Sequence, residues 1–332
     1  MKILIASSIC QHAIERLREE HDVVCAFGAK EVELRALLED REVLVFRSGV
    51  RITAEVMEYA PELKLLVRAG SGTDNVDLEY ASRRGIAFSR VAEPGAQAVA
   101  EMSFALMLAL ARNLLRADNL TRQGRWAKDA LLGCSLTGKV LGIVGVGNIG
   151  TRVGELGAAW GLKPIGCVEQ PSATVAAALR DKGIHLATFD ETVARADFLS
   201  IHVPLSDSTR NLINEDVLSR MKMGAFLINL ARGGVVNEKA LYQALTAGTR
   251  LQGAALDVHE AEGEGKISPL AGLPNVILTP HIGAMTIDAQ REIGRRVRAI
   301  IDSFIGSCPL REERDSSLTY SLPSRGGFQL SR

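Results

Sequence analysis

Arg232 stands in the run Asn229-Leu230-Ala231-Arg232-Gly233-Gly234-Val235-Val236, directly after the apolar stretch Ala225-Phe226-Leu227-Ile228. That stretch reads as a buried strand, so the guanidinium falls at a strand's carboxyl end, where open parallel sheets bind ligands. An arginine there can hold a carboxylate with two parallel hydrogen bonds. The two glycines after it let the backbone turn sharply and approach a ligand closely. The bland alternative is a surface arginine paired with a neighbouring carboxylate.

His281 lies in Leu278-Thr279-Pro280-His281-Ile282-Gly283-Ala284, where a proline stiffens the approach and a glycine leaves room for a ligand. Histidine titrates near neutrality and suits general acid–base work. Among the six histidines, His281 alone is held between a rigid proline and a glycine loop at a strand end, with His202 in Ile201-His202-Val203-Pro204 its competitor. A carboxylate from Leu256-Asp257-Val258-His259-Glu260-Ala261-Glu262-Gly263 could hold its ring and stabilise the imidazolium. Spacing alone leaves Glu260, Glu262 and Glu264 open. Together these are the parts needed for proton transfer on a 2-hydroxy or 2-keto acid.

A third feature precedes them. Gly145-Val146-Gly147-Asn148-Ile149-Gly150 follows the strand-like Val140-Leu141-Gly142-Ile143-Val144 and opens a helix. A bare GxGxxG is weak, but this strand-before, helix-after context makes it a dinucleotide-binding candidate. Its glycines would admit a pyrophosphate to the N–H groups of the helix start. The acidic residue expected on the next strand falls at Glu169, after Val168, and could accept from ribose hydroxyls. A solvated strand-end glutamate is the alternative.

The elements that must position these groups alternate as repeated βαβ units. Near the start, Ile3 to Ala6, Val43 to Phe46 and Leu63 to Val67 read as strands, with helices over Ile14 to Leu17 and Val32 to Leu38. A single long helix is expected from about Gly95 to Leu120, linking two domains. A second series follows: Val140 to Val144, Pro164 to Val168, Phe198 to Ile201, Phe226 to Asn229, Ala254 to Asp257 and Val276 to Leu278. From Asp288 to about Ile305, Ile293, Val297, Ile300, Ile301 and Phe304 mark one face of a helix that returns to the first domain. The expected architecture is α/β: two doubly wound parallel-sheet domains, the larger a Rossmann dinucleotide-binding domain. Residues 1–97 with 288–332 would form the substrate-binding domain, and 98–287 the inserted NAD-binding domain. The polar tail from Arg311 is expected to be mobile.

The chain has 332 residues, with 39 basic and 39 acidic side chains that cancel. Bulk charge therefore gives no reason to expect a nucleic-acid or membrane partner. The five scattered cysteines show no metal-ligand or redox spacing and suit free thiols in a reducing cytoplasm. The apolar start is too short for a signal peptide, and Ala98 to Ala111 reads as a core helix of a soluble protein.

With these residues assembled, the chain resembles the D-isomer-specific 2-hydroxyacid dehydrogenases, and among them the phosphoglycerate dehydrogenase branch. The likeness runs from Leu44 to Gln290. It rests on Phe46-Arg47-Ser48, Arg68-Ala69-Gly70-Ser71-Gly72-Thr73-Asp74-Asn75-Val76-Asp77, Leu108-Ala109-Leu110-Ala111-Arg112 and Gly124-Arg125-Trp126, together with the runs quoted above. The resemblance implies a catalytic trio of Arg232, Glu262 and His281, and it favours Glu262 by its place after the Leu-Asp-Val run. It further implies a carboxylate-binding loop at Arg68, Gly70, Ser71 and Gly72, with Arg47 near the substrate. Besides the glycine loop and Glu169, it assigns cofactor contacts to Ser71, Val203, Pro204, Leu230, Ala231, Arg232, Asp257, His281 and Gly283.

Departures from the family pattern are Gly263 where proline is usual, Val168 at the ribose-binding aspartate, and Ser89-Arg90-Val91 in place of Asn-x-Pro. A regulatory domain of the kind found in longer phosphoglycerate dehydrogenases is not expected. The expectation is a homodimeric cytoplasmic enzyme using NAD, with NADP left open, on a D-2-hydroxy acid such as 3-phosphoglycerate. Alternatives are a hydroxypyruvate or glyoxylate reductase and an NAD-sensing corepressor-like binding module. Glu262 argues against a formate dehydrogenase, since those relatives carry glutamine there.

Overall fold

The computed structural model describes residues 1–248 and 250–307. The expectations for Cys308 and the tail from Arg311 lie outside these. The chain divides into two compact units, Met1–Gly95 with the chain from Ala284 onward, and Ala96–Gly283.

The first unit is built on a parallel sheet of β1 (Lys2–Ile5), β2 (Asp22–Cys25), β3 (Val43–Phe46), β4 (Leu65–Arg68) and β5 (Ala87–Arg90), in the order β2-β1-β3-β4-β5. Strands β3 and β4 are buried along their whole length, which is why they read as continuous apolar runs. Neither β2 nor β5 was expected. Both are sheet edges with no buried residue; β5 carries Ser89 and Arg90 and so lacks an apolar run, whereas β2 sits in the apolar run Val23 to Phe27, which was passed over. The helix Ile287–Ser307 lays Ile293, Val297 and Ile301 on a core with Ile3, Val43 and Leu65, as its apolar stripe requires.

The second unit carries β6 (Val140–Val144), β7 (Lys163–Cys167), β8 (His185–Leu186), β9 (Phe198–Ile201), β10 (Ala225–Asn229), β11 (Leu251–Leu256) and β12 (Val276–Leu278). They form one parallel sheet in the order β12-β11-β10-β9-β6-β7-β8. The strand order reverses between β9 and β6, which makes that crevice the switch point of a Rossmann sheet. The edge strand β8 is only two residues long and, like β5, carries no apolar run.

The single helix expected over Gly95 to Leu120 is two. Glu93–Ala111 and Leu114–Arg122 are separated at Asn113, whose φ of 52° is left-handed. Asparagine tolerates that conformation better than most residues, so apolar periodicity runs through a break it does not register. Glu93–Ala111 is long and apolar enough to cross a membrane, but most of it is buried inside the protein, as in a core helix. Its Phe104 ring lies 5.7 Å from that of Trp160.

Candidate active site

Three neighbouring strands deliver the three candidate groups. Asn229 of β10 is in register with Leu256 of β11, and Leu256 with Leu278 of β12. The segments leaving these strands carry Arg232, Glu262 and His281, so all three start from one edge of the sheet on strands about 4.8 Å apart.

Asn229 shapes the Arg232 turn. Its buried side chain accepts from the Ala231 N–H at 3.0 Å and donates to the Arg232 carbonyl at 3.2 Å. This is the local bonding for which asparagine is favoured in turns. The expectation that both following glycines make room for a ligand needs correction. A Cβ on Gly233 would lie 1.7 Å from the carbonyl oxygen of His259, so it is the protein's own backbone that excludes a side chain there. Gly234 is needed for its φ of +81°. The turn is thereby packed against the loop that carries Glu262.

His281 has a φ of 56°, a strained conformation for a residue with a Cβ. Its backbone N–H donates to the Asp257 carbonyl at 2.8 Å. The carboxylate of Asp257, 2% exposed, accepts from Thr279 Oγ1 and from the backbone N–H groups of Ile282 and Gly283 at 2.6, 2.9 and 2.7 Å. A side chain on Gly283 would press on this carboxylate, so that glycine serves the anchor. The ring held by these bonds places Nδ1 3.0 Å from Glu262 Oε2, leaving Nε2 for a substrate. Glu262 Oε1 accepts from the His259 N–H at 3.1 Å. Partial burial pushes the Glu262 carboxyl upward, but the His281 ring and the His259 N–H together hold it below the usual carboxylate range.

The other two glutamates are accounted for. Glu260 exchanges backbone-to-carboxylate hydrogen bonds with buried Glu238, whose second oxygen accepts from Ser268 Oγ. Glu264 is exposed. His202 is a neutral histidine: burial pushes it down to about 3, and Nε2 sits 2.8 Å from Ser200 Oγ.

The glycine loop fits a dinucleotide. A Cβ on Gly145 would strike Val203 and the His202 carbonyl across the switch point, and one on Gly150 would strike the Gly145 carbonyl. At Gly147 a Cβ would meet only open space, on the side a phosphate would occupy. Gly147 caps the helix Asn148–Ala159 with no side-chain bond to its first turn, so its N–H groups are available to an anion. Asn148 is exposed and Ile149 half-buried. Val203, Leu230 and Ala231 are buried, while Pro204 and Glu169 are exposed. Val168 follows the end of β7 with its side chain half-buried.

The residues assigned to substrate in the first unit have built surroundings of their own. Arg68 is 3% exposed, and its guanidinium lies over the Phe46 ring and directly beneath Gly70, where a Cβ would come within 2.6 Å of it. Ser71 gives its carbonyl to Arg90 Nη1 at 3.0 Å, which props the Gly70–Ser71–Gly72 loop. Arg47 donates to Gln290 Oε1 at 2.8 Å and touches the Met285 sulfur at 3.5 Å. Burial pushes its guanidinium downward. The supporting roles of Asn229, Glu238, Arg90 and Gln290 were not anticipated. Only Asn229, a polar residue closing an apolar run, gave a signal in the sequence.

Residues 104–283 match the family model described as D-isomer specific 2-hydroxyacid dehydrogenase, NAD binding domain. The chain belongs to the D-isomer specific 2-hydroxyacid dehydrogenase family. It is 40% identical over 295 residues to a D-3-phosphoglycerate dehydrogenase of Methanocaldococcus jannaschii, covering 89% of this chain and 55% of that relative. It is 39% identical over 279 residues to a hydroxypyruvate reductase of Thermotoga maritima, covering 83% of this chain and 89% of that relative. The chain thus spans little more than half of the phosphoglycerate dehydrogenase and most of the reductase. The fold matches a D-lactate dehydrogenase of Aquifex aeolicus, solved with NAD and lactic acid, at a TM-score of 0.81 and 29% identity, covering 92% of this chain and 96% of that one.

Proposed function

We propose that this member of the family is an NAD-dependent dehydrogenase interconverting a D-2-hydroxy acid and its 2-keto acid. The observation that carries the reading is the 3.0 Å bond between His281 Nδ1 and Glu262, made at the strand edge that also bears Arg232. Bound NAD would supply the hydride acceptor in one direction and the donor in the other. Gly145, Gly147, Asn148, Ile149 and Gly150 would hold its pyrophosphate, and Glu169 its adenosine ribose.

In oxidation His281 Nε2 takes the hydroxyl proton. In reduction the imidazolium returns it to the carbonyl oxygen. Glu262 fixes Nδ1–H and stabilises the charged ring. Arg232 orients the substrate's carboxylate and polarises its carbonyl. In the first unit the Gly70 N–H is spent on the Arg68 carbonyl, so the loop N–H groups open to an anion are those of Ser71 and Gly72, with Arg68 as the loop's support.

A phosphorylated substrate is favoured by Arg47, whose partners among the described residues are a neutral amide and a thioether. A cation withdrawn from water without a carboxylate leaves its charge for an anionic ligand. The test is turnover of NADH with a panel of 2-keto acids, including a phosphorylated acid and its dephosphorylated counterpart. Reduction with preference for the phosphorylated acid supports the reading. Preference for the dephosphorylated acid favours a hydroxypyruvate-type reductase. NADH binding without turnover of any acid favours the binding-module alternative.

The helix Leu114–Arg122 has no buried residue, and Trp126 and Leu132 nearby are 88% and 89% exposed. The exposed apolar side chains of Leu114, Leu115, Trp126 and Leu132 support a homodimer, which sedimentation of the wild type and of Trp126→Arg would test. The four described cysteines are free, which suits a cytoplasmic enzyme.

A further inference from the structure

His259 touches the segment of each proposed catalytic residue. Its carbonyl receives the close approach of Gly233, the residue after Arg232. Its backbone N–H donates to Glu262 Oε1 at 3.1 Å. Its ring Nε2 lies 3.0 Å from the carbonyl oxygen of Thr279, at the approach to His281. A carbonyl only accepts, so that nitrogen carries the proton. The ring's other nitrogen, Nδ1, is buried and has no partner among the described residues. Thr279 is itself pinned, by its hydroxyl to Asp257 and by its N–H to the Leu256 carbonyl. The ring of His259 is therefore a strut from the Glu262 loop to the His281 loop.

We propose that His259 is a positioning residue whose Nε2–H bond to Thr279 keeps the His281 ring in register with Glu262. The proposal rests on the dehydrogenase reading for its kinetic consequence, but not for its structural one. Glu262 rides on the backbone of residue 259, and His281 follows the carbonyl that the 259 ring holds. Loosening that strut lets the two loops drift, and the first bond to suffer is His281 Nδ1–H to Glu262. The neutral His281 ring would then divide its proton between both nitrogens, and the fraction with Nε2 free to accept a substrate proton would fall.

The test uses the full chain with nitrogen-15-labelled histidine, observed by NMR at alkaline pH, where the rings are neutral. Wild-type His281 is expected to show the proton on Nδ1. His259→Phe preserves ring volume and deletes the donor. It should give a mixture of the two tautomers and about a tenfold loss of kcat for hydroxy-acid oxidation, with KM nearly unchanged. His259→Gln returns an N–H near the Nε2 position and should restore both. Should His259→Phe fail to fold, His259→Asn, whose shorter amide cannot reach Thr279, takes its place. An unchanged His281 tautomer in the variants lacking the donor overturns the proposal. So does a Gln variant no better than Phe or Asn. Wild-type protein inactive on every 2-keto acid would overturn the dehydrogenase reading alone, since the tautomer comparison needs no turnover.

Discussion

Glu238 and Glu260 each accept a hydrogen bond from the other's backbone N–H, at 2.7 and 2.9 Å respectively. This exchange ties the start of the helix Glu238–Thr246 to the loop after β11, and it commits Glu260 to structure. Glu262, two positions on, is the carboxylate left for His281. Glu260→Ala should therefore lower the melting temperature, since it leaves the N–H of buried Glu238 without its acceptor, at a cost of about 1–3 kcal/mol. Glu264→Gln should change neither stability nor kinetics. Loss of the catalytic pH response in the Glu264 variant would show that the wrong carboxylate has been assigned.

The pH profile separates Glu262 from His281. The folded carboxyl of Glu262 is held below its ordinary value, so its contribution is complete above that value and is lost only as pH falls through the depressed one. Glu262 is thus an anion throughout the neutral range. Reduction needs imidazolium and should fade as pH rises. Oxidation needs the neutral ring and should fade as pH falls. Glu262→Gln removes the anion that favours imidazolium and should move both limbs to lower pH. Limbs that stay in place would detach Glu262 from the mechanism.

His202 provides a stability signature at acid pH. Its folded value is pushed down to about 3 by burial, while an exposed histidine titrates near 6.5. Below 6.5 the unfolded chain binds the proton and the folded chain does not. Stability should fall by about 1.4 kcal/mol per pH unit until His202 itself is protonated near 3. Thermal melts from pH 7 to pH 4 should show this slope, and His202→Gln should flatten it. An equal slope in the variant would assign the acid sensitivity elsewhere.

Much of this was legible in the sequence because the chemistry sits after buried parallel strands. Runs such as Val43–Phe46 and Ala225–Asn229 are apolar on both faces, and they announced both sheets and the positions of Arg232 and His281. The edge strands β5 and β8 are partly exposed and carried no such mark, and β2 was passed over although Val23 to Phe27 is apolar. The break at Asn113 depends on one backbone angle that apolar periodicity does not encode. The glycines were recognised as necessary, but for Gly233 and Gly283 the reason was misread. Only the folded backbone brings the His259 carbonyl and the Asp257 carboxylate against them. The Glu238–Glu260 exchange spans residues too far apart for any spacing rule.

Gly233 should tolerate no side chain. Gly233→Ala drives a methyl group into the His259 carbonyl, forcing the Arg232 turn away from the Glu262 loop. The expected result is a clear fall in melting temperature, together with a loss in kcat/KM. Arg232→Lys should keep the fold and lose about one to two decades in kcat/KM, because one charge-assisted bond of about 1.5–3 kcal/mol is lost. Kinetics equal to wild type in the lysine variant would remove Arg232 from the site.

Cofactor choice is expected to rest on the end of β7. Val168 offers no hydrogen bond to a ribose, so exposed Glu169 is the group that would oppose the 2′-phosphate of NADP. A moderate preference for NADH over NADPH is expected. Val168→Asp should sharpen that preference and Glu169→Ala relax it. Equal or better kcat/KM with NADPH in the wild type would withdraw the role given to Glu169.

The central claim is that His281 moves the substrate proton in a 2-hydroxyacid dehydrogenase. The most direct measurement is the steady-state rate of NADH oxidation with 2-keto acids by wild type and by His281→Asn, with NADH binding measured for both. The wild type should reduce at least one acid, and the variant should bind NADH while losing about 10²- to 10⁴-fold in kcat. A variant that retained wild-type kcat, or a wild type that bound NADH and reduced no 2-keto acid, would contradict the claim.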